Sequence, residues 1–353
     1  MLFTTYEYAT FAVCAASTPS YLSFMIYRLH TFVAVTSKIG TSKNEAAQLL
    51  KAGELVAIPT ETVYGLAGNG ISPASVAKIF ATKNRPSFDP MILHTDSLAR
   101  VEHLVIDIPA PLQALADKLM PGPLTILLPR TSLVPDITTS GLPKVAIRIP
   151  SHPITLELLG LLDFPLAAPS ANPFGYVSPT TAQHVLDQLG GQIPYILDGG
   201  RCSIGLESTI VDYQEGEVVV LRKGGTKVST IESIVGAVSI QSSSTSKPSA
   251  PGMLTNHYAP KVPLRLMSVK AALTEYKPTH IGHIAWREYS TELPESNQLI
   301  LSPNGTLEEA AYNLFAHLRA LDQKKLHVIV TEPVDNEGLG LAINDKLRRA
   351  AAK

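Results

Sequence analysis

Short apolar runs recur along this chain, and one after another stops at a proline, a glycine, a small hydroxyl residue or a cation. Leu55-Val56-Ala57-Ile58 stops at Pro59-Thr60, Leu166-Ala167-Ala168 at Pro169-Ser170, and Val218-Val219-Val220-Leu221 at Arg222-Lys223-Gly224. Apolar runs this short, bounded by such breakers, read as buried strands. Helices lie between them. Ser72-Pro73 predicts an N-cap with proline in the first turn, Val76, Ile79 and Phe80 supply an apolar face, and Pro86 marks the stop. Further strands are expected at 91–94, 124–128, 145–149, 195–197 and 209–212, and helices at 111–119, 182–189 and 230–235. Strands outnumber helices, and the short gap from Asp212 to Glu217 fits a hairpin. The reading is an α/β fold on a mixed, partly antiparallel twisted sheet.

The pattern breaks at residues 241–251 (QSSSTSKPSAP), a Ser/Pro-rich stretch without apolar periodicity that reads as a linker. Beyond it, strands at 262–266, 281–286 and 328–331 alternate with helices, one opening on a capping box of Thr306 and Glu309. A chain of 353 residues has room for a core on either side of the break. The expected organisation is an N-terminal extension (1–38), a main domain (39–238), a linker (239–260) and a smaller α/β domain (261–353). The first 35 residues carry one acid, Glu7, and one strong base, Arg28, and meet the signal-peptide pattern poorly. They read as a poorly ordered extension or an upstream start, with Met25 as an internal one; a targeting segment is the competing reading.

Composition narrows the chemistry. With 45% apolar and 17% charged residues the chain is globular, and a net charge of −1 gives no global field to draw nucleic acid or membrane. Phosphate binding must therefore come from local cations. Cys14 and Cys202 alone exclude a disulfide framework and a cysteine-based zinc site, which suits a reducing, cytoplasmic setting. No run reaches the roughly 20 apolar residues of a spanning helix.

The polar residues at the strand ends are the candidate site. Thr60, Glu61 and Thr62 follow the first strand, where they serve either as ligand-orienting groups or as a turn held by its own side chains. Lys83 and Arg85 form a phosphate-binding pair or complement a helix dipole. His94 closes a strand and reads as a ligand or a core histidine. Arg148 projects opposite the Val/Ile face of its strand. Hydroxyls recur at Thr139, Ser170, Ser178 and Ser208, and Arg222 ends a further strand. Each fragment alone has an ordinary turn or cap explanation; their recurrence lines one rim with anion-binding groups. No nucleophile elbow, Walker loop or paired carboxylates occur, so positioning and charge stabilisation are the expected means of catalysis.

Taken together, PTETVYGL (59–66), KNRPSFDP (83–90) with His94 downstream, PGPLT (121–125), VAIRIP (145–150), APSAN (168–172), SPT (178–180), GLESTI (205–210) and LRKGG (221–225) resemble the YrdC-like family in content and order. The linker with its Asn256-His257-Tyr258-Ala259-Pro260 segment, and Gly338-Leu339-Gly340-Leu341-Ala342 in the tail, resemble the long, two-domain branch, the L-threonylcarbamoyladenylate synthases. The resemblance implies a YrdC-like mixed sheet plus a Rossmann-like C-terminal domain. It implies a reaction of L-threonine, bicarbonate and ATP, with Mg2+ carried by ATP, that gives threonylcarbamoyl-adenylate and pyrophosphate for a downstream tRNA threonylcarbamoyl transferase. Residue by residue it implies Thr60, His94, Arg148, Ala168 and Ser208 at threonine. Lys83, Arg85, Asp89, Thr139, Ser170, Ser178, Arg222 and Tyr258 fall at ATP, with Lys83 and Arg85 screening the reacting anions. Asp89 departs from the family's usual asparagine, and a carboxylate there suits triphosphate only through magnesium. His257-Tyr258, in an otherwise flexible linker, reads as an anchor that folds over the nucleotide as a lid or as a plain packed tether. The rival from another class is a non-catalytic module with weak RNA binding.

Overall fold

A computed structural model describes residues 36–241, 250–251 and 257–352. The expected N-terminal extension, but for its last residues, and much of the expected linker lie outside the described residues. Among the described residues eleven strands build the main sheet. They are β1 (Lys38–Gly40), β2 (Val56–Ile58), β3 (Gly65–Asn69), β4 (Ile92–His94), β5 (Leu124–Pro129), β6 (Lys144–Arg148), β7 (Leu166–Ala167), β8 (Tyr195–Leu197), β9 (Thr209–Gln214), β10 (Glu217–Arg222) and β11 (Ser239–Ile240). Their order is β1-β8-β2-β3-β7-β4-β6-β5-β9-β10-β11. The pairing is mixed: β4 runs parallel to β6 and β5 to β9, while β5–β6 and β9–β10 are antiparallel.

The helix Pro73–Lys83 starts as its residues dictate, with the Ser72 hydroxyl accepting from the Ser75 amide and proline in the first turn. Alternation along the central strands then sorts the two faces of the sheet. Leu93, Val145 and Ile147 face Val76, Ile79, Leu112 and Leu115 in the helix-covered core. Ile92, Leu127, Ala146, Ile210, Val219 and Leu221 face the other way, where Ala250 packs on them. His94 and Arg148 fall on that second face, which is what frees them to meet a ligand.

Several elements were not read from the sequence, among them the helices Lys43–Lys51 and Pro153–Gly160, and one of them is an inner strand of the main sheet. β3 is a strand, although its Gly-Leu-Ala-Gly-Asn text is poor in strand formers. Packing overrides propensity: a Cβ at Gly68 would stand 2.9 Å from the Leu55 side chain and 3.3 Å from Ile79.

A second sheet, β12 (Leu264–Leu266), β13 (Ile281–Ala285), β14 (Gln298–Ile300) and β15 (Val328–Thr331), is parallel throughout in the order β12-β15-β13-β14. The helices Leu307–Asp322 and Gly340–Ala351 cover one face through Leu314, Phe315, Leu318, Ile343 and Leu347. That same apolar cluster takes in Val63, Val177, Leu206 and Tyr258, so this sheet's helices share a core with the loops of the main sheet. Among the described residues no helix is long and apolar enough to cross a membrane.

Candidate active site

The cleft lies on the open face of the main sheet, at the ends of β4, β6 and β10. Thr62, Val63, Arg85, His94, Arg148 and Ser208 are among the residues that line it. His94 and Arg148 are register partners on adjacent parallel strands, so their side chains stand side by side on one face. Burial, with Arg148 close by, pushes the His94 imidazole down to about 3, so it is neutral. Arg148 is itself 4% exposed and pairs with Glu61 at 2.7 Å, while the other Glu61 oxygen accepts from the Ser151 amide at 3.1 Å. Glu61 was legible as a ligand-orienting group or a turn residue; nothing in its spacing announces an ion pair 87 positions away.

Thr60 takes the turn role. Its hydroxyl donates to the Val63 carbonyl at 2.7 Å and accepts from the Thr62 and Val63 amides at 3.2 Å. It is absent from the cleft lining; the turn it closes presents Thr62 and Val63 instead. At the far wall, Arg222 clamps Ser208, with Nε on the Ser208 carbonyl at 3.0 Å and a terminal nitrogen on its hydroxyl at 2.9 Å. The same hydroxyl meets Thr125 at 2.7 Å, and the remaining Arg222 nitrogen donates to the Pro251 carbonyl at 3.1 Å. Burial lowers the pKa of Arg222 and of Arg85, in the latter case against the opposing pull of Asp89.

Asp89 is fully buried and pairs with Arg85 at 2.9 Å. Arg85 lines the cleft and Asp89 does not, so the carboxylate stands behind the guanidinium as its counter-ion. Lys83 also lies behind the wall, donating to the carbonyls of Ser170 and Asn172. Burial, and then Arg85, holds its ammonium well below the usual lysine range. Ala168 and Ser170, in the loop so braced, line the cleft. Thr139, in the short helix Asp136–Thr139, and Ser178, which donates to Glu207 at 2.6 Å, are buried but outside the lining.

Pro251, His257 and Tyr258 complete the lining. Tyr258, at φ 66°, stacks on Phe315 with ring centroids 5.4 Å apart and meets the His257 ring at 4.2 Å. Burial drives its hydroxyl well above the ordinary tyrosine range, with Glu207 adding to the effect, and drives the His257 imidazole well below its own. With these rings in place the cavity is about 50 Å³. Sequence reasoning singled out Tyr258 but passed over Glu207, one residue before Ser208 in GLESTI, and Lys346 of the last helix, 3.9 Å from it.

Three buried guanidinium groups, a neutral imidazole and hydroxyls converge here, with no nucleophile–base pair among the described lining residues. Such a lining defines an anion-binding cleft. A family model described as "Telomere recombination" (Sua5/YciO/YrdC) matches residues 48–224, and one described as "Threonylcarbamoyl-AMP synthase, C-terminal domain" matches residues 226–352. The threonylcarbamoyl-AMP synthase of Pyrococcus abyssi is 38% identical over 321 residues, covering 87% of this chain and 93% of its own. That of Bacillus subtilis is 37% identical over 338 residues, covering 91% and 96%. The crystal structure of P. abyssi Sua5 complexed with L-threonine superposes with a TM-score of 0.81, covering 90% of this chain and 97% of that one. The chain belongs to the threonylcarbamoyl-AMP synthase family, an ATP-dependent family of enzymes.

Proposed function

We propose that this chain makes threonylcarbamoyl-adenylate and pyrophosphate from L-threonine, bicarbonate and ATP. The convergence of Arg85, Arg148 and Arg222 on one cleft beside neutral His94 carries the reading. The threonine amine adds to bicarbonate with loss of water, giving a carbamate. A carbamate oxygen then attacks the α-phosphate, and pyrophosphate leaves. Two anions must approach, and at ~4 Å and an effective dielectric of ~20 like charges repel by about 4 kcal/mol. Arg85 and Arg222 offset that on the nucleotide side, and Arg148, steadied by Glu61, takes the threonine carboxylate.

Ala168, Ser208 and His94 border the amino acid, and Ser170 and Tyr258 border the nucleotide. Thr60, Lys83, Asp89 and Ser178 act through the groups they hold, and Thr139 lies outside the lining. Magnesium accompanies the triphosphate; a lining of guanidiniums with one carboxylate suits a metal held by phosphate oxygens more than by protein. The product is a mixed anhydride, which a tRNA threonylcarbamoyl transferase consumes in the cytoplasm. The test is pyrophosphate release from ATP with and without threonine, in the absence of RNA. Release that ignores threonine would sink the reading, and no release at all would also favour the RNA-binding module.

A further inference from the structure

The helix Gly340–Ala351 packs on the second sheet, yet one of its side chains reaches two residues that line the cleft. Lys346 is 1% exposed. Its Nζ donates to the Lys223 carbonyl at 2.9 Å, lies 3.9 Å from the second Glu207 oxygen and 5.2 Å from the centre of the Tyr258 ring, with Asp345 of its own helix at 3.4 Å. Glu207 and Tyr258 line the cleft, and Lys223 follows Arg222 in the chain. Glu207 is the single carboxylate among those lining residues. Its first oxygen accepts from Ser178 at 2.6 Å. Ser178 is held from the same side: Arg319, on the helix Leu307–Asp322, donates from Nε to the Ser178 carbonyl at 3.1 Å. Arg319 also donates to the Val177 carbonyl and to the Gln188 side chain.

Two buried cations from the second domain thus secure both members of the Glu207–Ser178 pair. Cohesion between domains does not call for this. Burying an ion pair offsets little more than its own desolvation, and apolar side chains of similar volume serve packing as well or better. A cation spanning a carbonyl, a carboxylate and a ring face fixes geometry instead.

We infer that Lys346 is a positioning residue for the nucleotide half of the site, orienting Glu207 and Tyr258 into the wall that ATP meets. This makes the second domain part of the active site, and it rests on the synthase reading above. The experiment uses the full chain and the variants Lys346→Met, Lys346→Arg, Glu207→Gln and the double Lys346→Met/Glu207→Gln. Calorimetric binding of a non-hydrolysable ATP analogue is measured beside threonine-dependent pyrophosphate release. Lys346→Met is expected to weaken analogue binding about tenfold and to raise KM for ATP similarly, leaving KM for threonine unchanged, with Lys346→Arg recovering most of the loss. Because Lys346 acts through Glu207, the double variant is expected to be no worse than the worse single one. Losses that multiply in the double variant, an equal rise in both KM values, or unchanged analogue binding would overturn the inference. Should Lys346→Met fail to fold, the double variant, which also neutralises the stranded carboxylate, is compared with Glu207→Gln; further loss of analogue binding overturns the inference. A wild-type chain that binds the analogue but releases no pyrophosphate refutes the synthase reading while leaving the binding comparison intact.

Discussion

Arg85 and Asp89 stand one helical turn apart in sequence number but in a loop, and burial makes their pairing obligatory: neither charge has water to turn to. The pairing drains part of the positive field that Arg85 presents to the cleft. Asp89→Asn keeps an acceptor for the guanidinium while removing the charge, so KM for ATP is expected to fall by a few-fold in steady-state kinetics. A rise would place Asp89 among the groups that help bind nucleotide. Arg148 gives the opposite expectation. On the proposed reading Arg148→Ala removes a charge-assisted contact to the threonine carboxylate, on the order of 2 kcal/mol, which corresponds to a roughly thirtyfold increase in KM for threonine. It also strands the buried Glu61 carboxylate, so the melting temperature should drop, and Arg148→Ala/Glu61→Gln should recover the melt without recovering KM. These side chains show where reading by residue type stops. Thr60, Lys83, Arg85 and Asp89 all sit in motifs that the sequence displays, yet three of the four turn inward to hold the turn, the loop or the arginine. Depth and direction are properties of the packed chain, and residue spacing in an irregular loop does not encode them.

At the scale of elements, the site depends on strands ending together. The parallel pairing of β4 with β6 sets His94 beside Arg148, and the β9–β10 hairpin returns Arg222 to Ser208, fourteen positions earlier. The turn after β10 must then pass close to the segment entering β9. At Gly224 an added Cβ would overlap the backbone of Glu207 and Ser208, and no rotamer relieves a clash with main chain. Gly224→Ala is therefore expected to destabilise by about 1–3 kcal/mol, seen as a lower denaturant midpoint, and to lower kcat/KM by displacing Ser208. An unchanged midpoint would show that the loop has slack. Elements of this kind were readable in advance: the Ser72 cap, the alternation that turns Arg148 from the core and the helices of the tail all follow from local pattern. β3 was not, since a strand carrying two glycines exists only because Leu55 and Ile79 fill the space above it.

For the molecule as a whole, burial governs the response to pH. Burial, the leading cause in each case, lowers His94 to about 3, His184 to about 4 and His317 to about 4, and His257 well below 6.5. The unfolded chain takes up these protons near pH 6.5 while the folded chain refuses them. The stabilisation is thus complete above pH 6.5 and is lost as pH falls towards 4. Melting temperatures are expected to fall steadily as pH is lowered from 6.5 to 4; a flat profile down to pH 4.5 would contradict this burial. Read alone, the sequence determined the alternation of strands and helices along both sheets and the ordered motifs that point to the family. Those are local properties, set by periodicity, caps and breakers within a few residues. Only the tertiary structure decided that Glu61 steadies Arg148, that Asp89 backs Arg85 and that Lys346 of the last helix reaches Glu207. A buried charge takes whichever partner the fold brings within reach, and that is settled by the packing of distant segments.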